Sequence, residues 1–128
     1  HLQIESRILG EMVVNQIVPA CIEYQNKLIE NIDGMKDLKL DAELYAPQLD
    51  ILKSVATNTA TLIKLAAEMK KLRVQGNDLD NPRDQASLYC DKIKPLMEAI
   101  REASDELETV VDDNLWPLSK YREMLFSK

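Results

Sequence analysis

Residues 52–69 read LKSVATNTATLIKLAAEM. Leu52, Val55, Thr59, Leu62, Ala66 and Met69 recur there in alternating steps of three and four, the spacing that lines side chains along one side of an α-helix. This is an a/d seam. It is too short to specify a long coiled coil and suits one helix of an antiparallel bundle, predicted over about Pro47 to Val74. The threonines at 57, 59 and 61 weaken intrinsic helicity, because Thr is β-branched and its hydroxyl bonds nearby backbone, so packing must hold that stretch helical.

Upstream, Leu9, Val13, Ile17, Ala20, Tyr24, Leu28 and Ile32 keep to steps of three and four, which predicts a first helix from about Leu2 to Ile32. Glu23 and Lys27 are spaced as an i,i+4 pair, and Gly34 is the expected left-handed stop. Pro19 lies inside this helix, removes one backbone bond and predicts a kink. The flanking Ile4, Ile8, Met12, Val14, Val18, Cys21, Ile22 and Ile29 are apolar too. A helix apolar around most of its circumference is buried on more than one side, so its uncovered part is expected to pack on a missing domain or another subunit.

Downstream, the polar stretch 75–81 predicts a loop around Gly76. Asn81 followed by Pro82 is an N-cap and N1 pair, and Asp84 puts a carboxylate in the first turn, where the helix dipole favours it. The third seam runs through Ile93, Leu96, Ile100, Ala103, Leu107 and Val110, extended backwards by Tyr89 and Ala86, with Pro95 as a second predicted kink. Leu118, Tyr121 and Leu125 are spaced for a short terminal helix opened by Pro117. Trp116, Tyr121 and Phe126 crowd the last turns, so this end is expected to dock on the bundle or an adjoining subunit. The expected fold is therefore all-α: one domain over residues 1–128, an antiparallel bundle of three long helices, the first and third kinked at prolines, plus a short C-terminal helix.

The chain has 128 residues, with 45% hydrophobic and 30% charged residues, the composition of a folded soluble domain. Its 16 basic and 22 acidic residues leave a net charge of −6, the wrong sign for neutralising phosphates, so a nucleic-acid partner is not expected. The longest uncharged run, Met12 to Ile22, is too short to span a membrane. Cys21 and Cys90 are the only cysteines; they form neither a disulfide scaffold nor a metal spacing and read as reduced thiols of a cytoplasmic protein. The chain starts at His1 without a leader and reads as an excised piece.

Reaction chemistry is scarce. His1 is the only histidine, which leaves a zinc site, a Ser-His-Asp triad and a histidine base without their key residue. A di-iron bundle needs Glu-x-x-His pairs, and no Gly-Lys-Ser/Thr phosphate loop occurs. Glu108, Asp112 and Asp113 form an acidic turn that reads as a solvated face in preference to a cation site. Cys21 lies in an apolar run without a neighbouring base and reads as a packing thiol, and Cys90 is read the same way. No catalytic, cofactor-binding or metal residue is assigned. The interface candidates are Ile4, Ile8, Met12, Trp116, Leu118, Tyr121 and Leu125.

Gln3-Ile4-Glu5-Ser6-Arg7, Ile17-Val18-Pro19-Ala20 with Tyr24-Gln25-Asn26, Tyr89-Cys90-Asp91 with Lys94-Pro95, and the ending from Val111 through Trp116-Pro117-Leu118 and Lys120-Tyr121-Arg122-Glu123 to Phe126 together resemble the C-terminal region of type III glutamine synthetases. The resemblance spans nearly the whole chain and is most specific at its two ends. It implies a non-catalytic helical extension of a cytoplasmic ligase that joins ammonia to glutamate with ATP and Mg²⁺ or Mn²⁺, in a homo-oligomer whose catalytic domain lies upstream. Packing or subunit assembly is the implied role. The alternative is a free-standing helical adaptor or sensor module without enzymatic activity.

Overall fold

A computed structural model describes residues 1–117. Three helical rods follow one another. The first, α1 (2–37), joins α-helices Leu2–Met12 and Val18–Asp37 through a π-turn at Val13–Ile17; the second, α2, is Ala46–Asn77; the third, α3 (82–108), joins Pro82–Leu88 and Lys94–Glu108 through a π-turn at Tyr89–Ile93. Gln25 reaches Thr59 at 3.4 Å and Gln48 reaches Met35 at 3.8 Å, so α1 and α2 run antiparallel. Near residue 76 the close approach is to Leu88, which turns α3 back beside α2 and parallel to α1. The bundle is up, down, up, with α2 touching both neighbours.

The expectation of three long helices plus a short C-terminal helix is corrected on helix count. Among the described residues there are three rods and no fourth; from Thr109 to Pro117 the chain runs in turns and bends. The helix tightens into i→i+3 bonds at its end, Thr109 N–H to Glu106 O at 3.3 Å and Val110 N–H to Leu107 O at 3.1 Å, and Asp112 shapes the turn that follows. Its Oδ1 accepts the Asn114 amide at 2.9 Å, the local bond by which Asp draws backbone out of a helix. The positions Leu118, Tyr121 and Leu125 lie outside the described residues.

At both predicted kinks the proline is carried by a π-turn. In an α-helix the ring of Pro19 would collide with the carbonyl of Asn15, and that of Pro95 with the carbonyl of Asp91. Both carbonyls fall inside the widened turns, where Val18 N–H donates to Val13 O and Lys94 N–H to Tyr89 O, one residue farther back than usual. The apolar spacing agrees. Leu9, Val13, Ile17 and Cys21 are separated by three successive steps of four, each of which would drift about 40° around a straight α-helix of 3.6 residues per turn. The wider turn keeps Val13, Ile17 and Cys21 in the core.

The helix ends differ from expectation too. Gly34 does not stop α1 and has no positive φ; the rod continues to Asp37, and Lys39 takes the left-handed conformation at φ 59°. Lys39 N–H donates to Lys36 O at 2.9 Å and Leu40 N–H to Met35 O at 3.1 Å, a Schellman closure with lysine where glycine is usual. Leu28 and Ile32 are buried just before Gly34, and Met35 just after it is half-buried and accepts from Gln48 of α2, so tertiary packing outweighs the ~1 kcal/mol that glycine costs a helix. Gly76 likewise lies inside α2, buried where α3 begins. Gln85 Nε2 donates to Gly76 O at 3.2 Å and to Leu79 O at 2.8 Å, tying the start of α3 to the turn that ends α2. Asn81 caps α3 as its sequence predicts, accepting Arg83 N–H at 2.8 Å.

Val55, Leu62, Ala66 and Met69 of α2 meet Val13, Ile17 and Cys21 of α1 and Ile93, Met97, Ile100 and Leu107 of α3 in one core. Thr59, the polar member of the α2 seam, is buried; its hydroxyl donates to Val55 O at 2.7 Å and accepts from Gln25. No described helix is long and apolar enough to cross a membrane.

Candidate docking surface

The seams predict the buried positions well, so the informative residues are the apolar ones left outside. On α1, Ile4 is 53% and Ile8 51% exposed, and Val14, Ile22 and Ile29 are exposed too. Two helices therefore cover only part of the circumference of α1. Met12, also an interface candidate, is half-buried against the core.

Trp116 belongs to the opposite end of the molecule. Its ring is buried in the core cluster, and its amide donates to Asp112 O at 3.0 Å. Asp112 Oδ2 lies 3.5 Å from Lys27 Nζ, so this turn sits beside α1 near residue 27, about 30 Å along the helix from Ile4 and Ile8 at 1.5 Å per residue. The described candidates do not form a single patch.

A groove between α1 and α2 is the surface that sequence reasoning missed. Val14 and Val18 of α1 face Ile63 and Ala67 of α2 across it, with Lys70 at its edge. Val14 is 57% and Ile63 49% exposed. Toward the start of α1 the groove passes between Arg7 and Glu11 on one side and Lys70 and Arg73 on the other. The signal for it was Ile63, an aliphatic residue of α2 that stands off the 52–69 seam and is exposed. A second, shallower pocket joins His1 and Leu2 to Gln85, Tyr89 and Cys90.

The titratable groups are dispersed. Among the described residues no three His, Cys, Asp or Glu side chains come together in a way that could hold a metal ion. Asp112, once a candidate cation ligand, is committed to Lys27 and to its own turn. Cys21 is fully buried, and burial pushes its thiol above the ordinary value of 9.0, partly offset by a hydrogen bond with Thr59. Cys90 corrects its packing assignment: it is exposed, one position past the buried Tyr89.

Comparison with known proteins agrees with this helical, chemically sparse chain. Residues 1–36 match the family described as the glutamine synthetase C-terminal domain. The chain is 37% identical to a glutamine synthetase of Bacteroides fragilis over 99% of its own length and 18% of that protein's. It is 27% identical to the type-3 glutamine synthetase of Dictyostelium discoideum over 98% of its length and 17% of that protein's. The resemblance read from the sequence is thereby shown, for a chain spanning under a fifth of the length of these relatives.

Proposed function

We propose that the chain is the helical C-terminal domain of a glutamine synthetase of type III, and that it serves packing and subunit assembly in place of catalysis. The observation that carries this reading is similarity along 99% of the chain, joined to a fold whose described part gathers no metal-ligating cluster. On this reading the remainder of the polypeptide joins ammonia to glutamate in the cytoplasm, in a homo-oligomer. ATP and Mg²⁺ or Mn²⁺ act there, away from these helices. What the helices contribute is a rigid platform: a core sealed by three rods, and an α1 whose outer side chains are available for contact.

The test compares three proteins: the 128-residue chain, the longer polypeptide that ends in it, and that polypeptide without it. ATP-dependent glutamine formation is expected in the second and absent from the first. The third is expected to show a smaller assembly or a lower melting temperature. Turnover by the isolated chain, or an unchanged assembly and melting temperature in the truncated protein, would overturn the proposal.

A further inference from the structure

The pocket that joins the first turn of α1 to the first turns of α3 holds an exposed thiol, Cys90, with Leu2, Gln3, Gln85, Ala86 and Tyr89 around it. We propose that it is a thiol-exchange site, at which Cys90 forms a mixed disulfide with a small, amide-bearing disulfide of peptide character. The inference goes beyond the packing role and does not depend on it.

A lone thiol does not mark a site, and Tyr89 supplies the independent observation. Its side chain is only 6% exposed. Its hydroxyl makes no hydrogen bond among the described residues, yet it is not sealed from solvent as Ser104 Oγ and Trp116 Nε1 are. Tyr89 lines the pocket, so the pocket is where this hydroxyl opens. A phenol almost wholly buried and left without a partner forgoes a bond that a bound amide would return. Gln85 adds a fixed acceptor: its Nε2 is spent on Gly76 O and Leu79 O at 3.2 and 2.8 Å, which holds the amide in place and turns Oε1 to other use. Gln3 brings a second amide, while Leu2 and Ala86 are apolar. The volume is about 300 Å³, the size at which pockets begin to take small molecules. The polar groups of Gln3, Gln85 and Tyr89 are neutral, so they suit the amides of a short peptide better than a phosphate. In the exchange Cys90 gives its proton to solvent and its sulfur attacks one sulfur of the incoming disulfide. The S–S bond of that molecule breaks as a new one to Cys90 forms, and the departing sulfur takes up a proton and leaves as a free thiol. Cys90 is oxidised and half of the incoming disulfide is reduced. Excess free thiol reverses the step.

The experiment follows mixed-disulfide formation by mass spectrometry of the peptide that carries residue 90, in the 128-residue chain and in the longer polypeptide that ends in it. Oxidised glutathione is the amide-bearing probe, and hydroxyethyl disulfide is the probe without amides. The control is Ser87→Cys in a Cys90→Ser background, because Ser87 is exposed on the same helix and does not line the pocket. The rate at Cys90 is expected to saturate with oxidised glutathione and, at low concentration, to exceed that of the control about tenfold, a preference of ~1.4 kcal/mol. With hydroxyethyl disulfide the two positions should react alike. Tyr89→Phe keeps the ring and removes the hydroxyl, so it is expected to slow oxidised glutathione roughly two- to tenfold, the worth of one hydrogen bond, and to leave hydroxyethyl disulfide unchanged. Gln3→Ala, at an exposed position, should slow the reaction with the same selectivity and does so without touching the core. A rate that rises linearly without saturation, equal rates at Cys90 and Ser87→Cys, or variants that slow both probes alike or neither would each overturn the proposal. So would a Cys90 that does not react in the longer polypeptide, because the pocket would then be covered.

Discussion

Asp112, in the turn after α3, ties it to the last third of α1: its Oδ2 lies 3.5 Å from Lys27 Nζ while its Oδ1 accepts the Asn114 amide at 2.9 Å. The ion pair is half exposed and is worth about 0–1 kcal/mol, whereas a capping carboxylate in a turn is worth roughly 0.5–2 kcal/mol. Asp112→Ala is therefore expected to destabilise more than Lys27→Ala. Asp112→Asn keeps an acceptor for the turn and should match Lys27→Ala. Urea midpoints of the three variants check the ranking, and equal losses for Asp112→Asn and Asp112→Ala would show that the turn bond contributes nothing.

Trp116 is held in the core by that turn. Truncating a buried aromatic costs ~3–5 kcal/mol of a domain's ~5–15, so Trp116→Ala is expected to lower the unfolding midpoint sharply. In the parent, Trp116 emission should be that of a shielded indole and shift to longer wavelength on Asp112→Ala. Hydrated emission from the parent protein would contradict the burial.

A Cβ added at Gly76 would fall 2.9 Å from Leu88 Cδ2. Alanine improves on glycine in a helix by roughly 1 kcal/mol, and pushing a leucine off its rotamer costs about 0.5–1.5 kcal/mol. The two nearly cancel, so Gly76→Ala is expected to change stability little in the parent. In a Leu88→Ala background the same substitution should stabilise by up to ~1 kcal/mol. A double-mutant cycle measures the difference, and zero coupling would refute the close approach.

The two thiols should separate cleanly. Cys90 is exposed and Cys21 is buried, so Ellman's reagent is expected to modify one thiol quickly in the native protein and the second only on unfolding. Burial raises the pKa of Cys21 above 9.0, which means the folded state resists forming the thiolate. Its contribution is complete below the unfolded pKa and is lost as pH rises through the folded one. The stability of the parent relative to Cys21→Ala should therefore fall as pH climbs past 9.0. A constant difference between pH 8 and 11 would show that burial does not restrain the thiol.

The steps of three and four along 52–69 and 93–107 determined the seams of α2 and α3, and Asn81-Pro82 determined where α3 starts, because both are local: side-chain direction follows from helical pitch, and a cap needs only its next residues. The family was legible too, in the motifs at the two ends of the chain. Tertiary structure decided what depends on neighbours distant in sequence. Gly34 has the conformational freedom to end a helix, yet Ile32, buried before it, and Met35, packed on Gln48 after it, carry α1 past it to Asp37. Pro19 and Pro95 predict interruptions, but only packing demands the π-turns that bring Val13, Ile17 and Ile93 to the core. The uncovered side of α1 was readable only as an excess of aliphatic residues. Which of them remain outside was settled by where α2 and α3 lie, since two helices against a third screen only part of its circumference, and Ile63, silent in the α2 seam, becomes the opposite wall of a groove only when α1 is beside it.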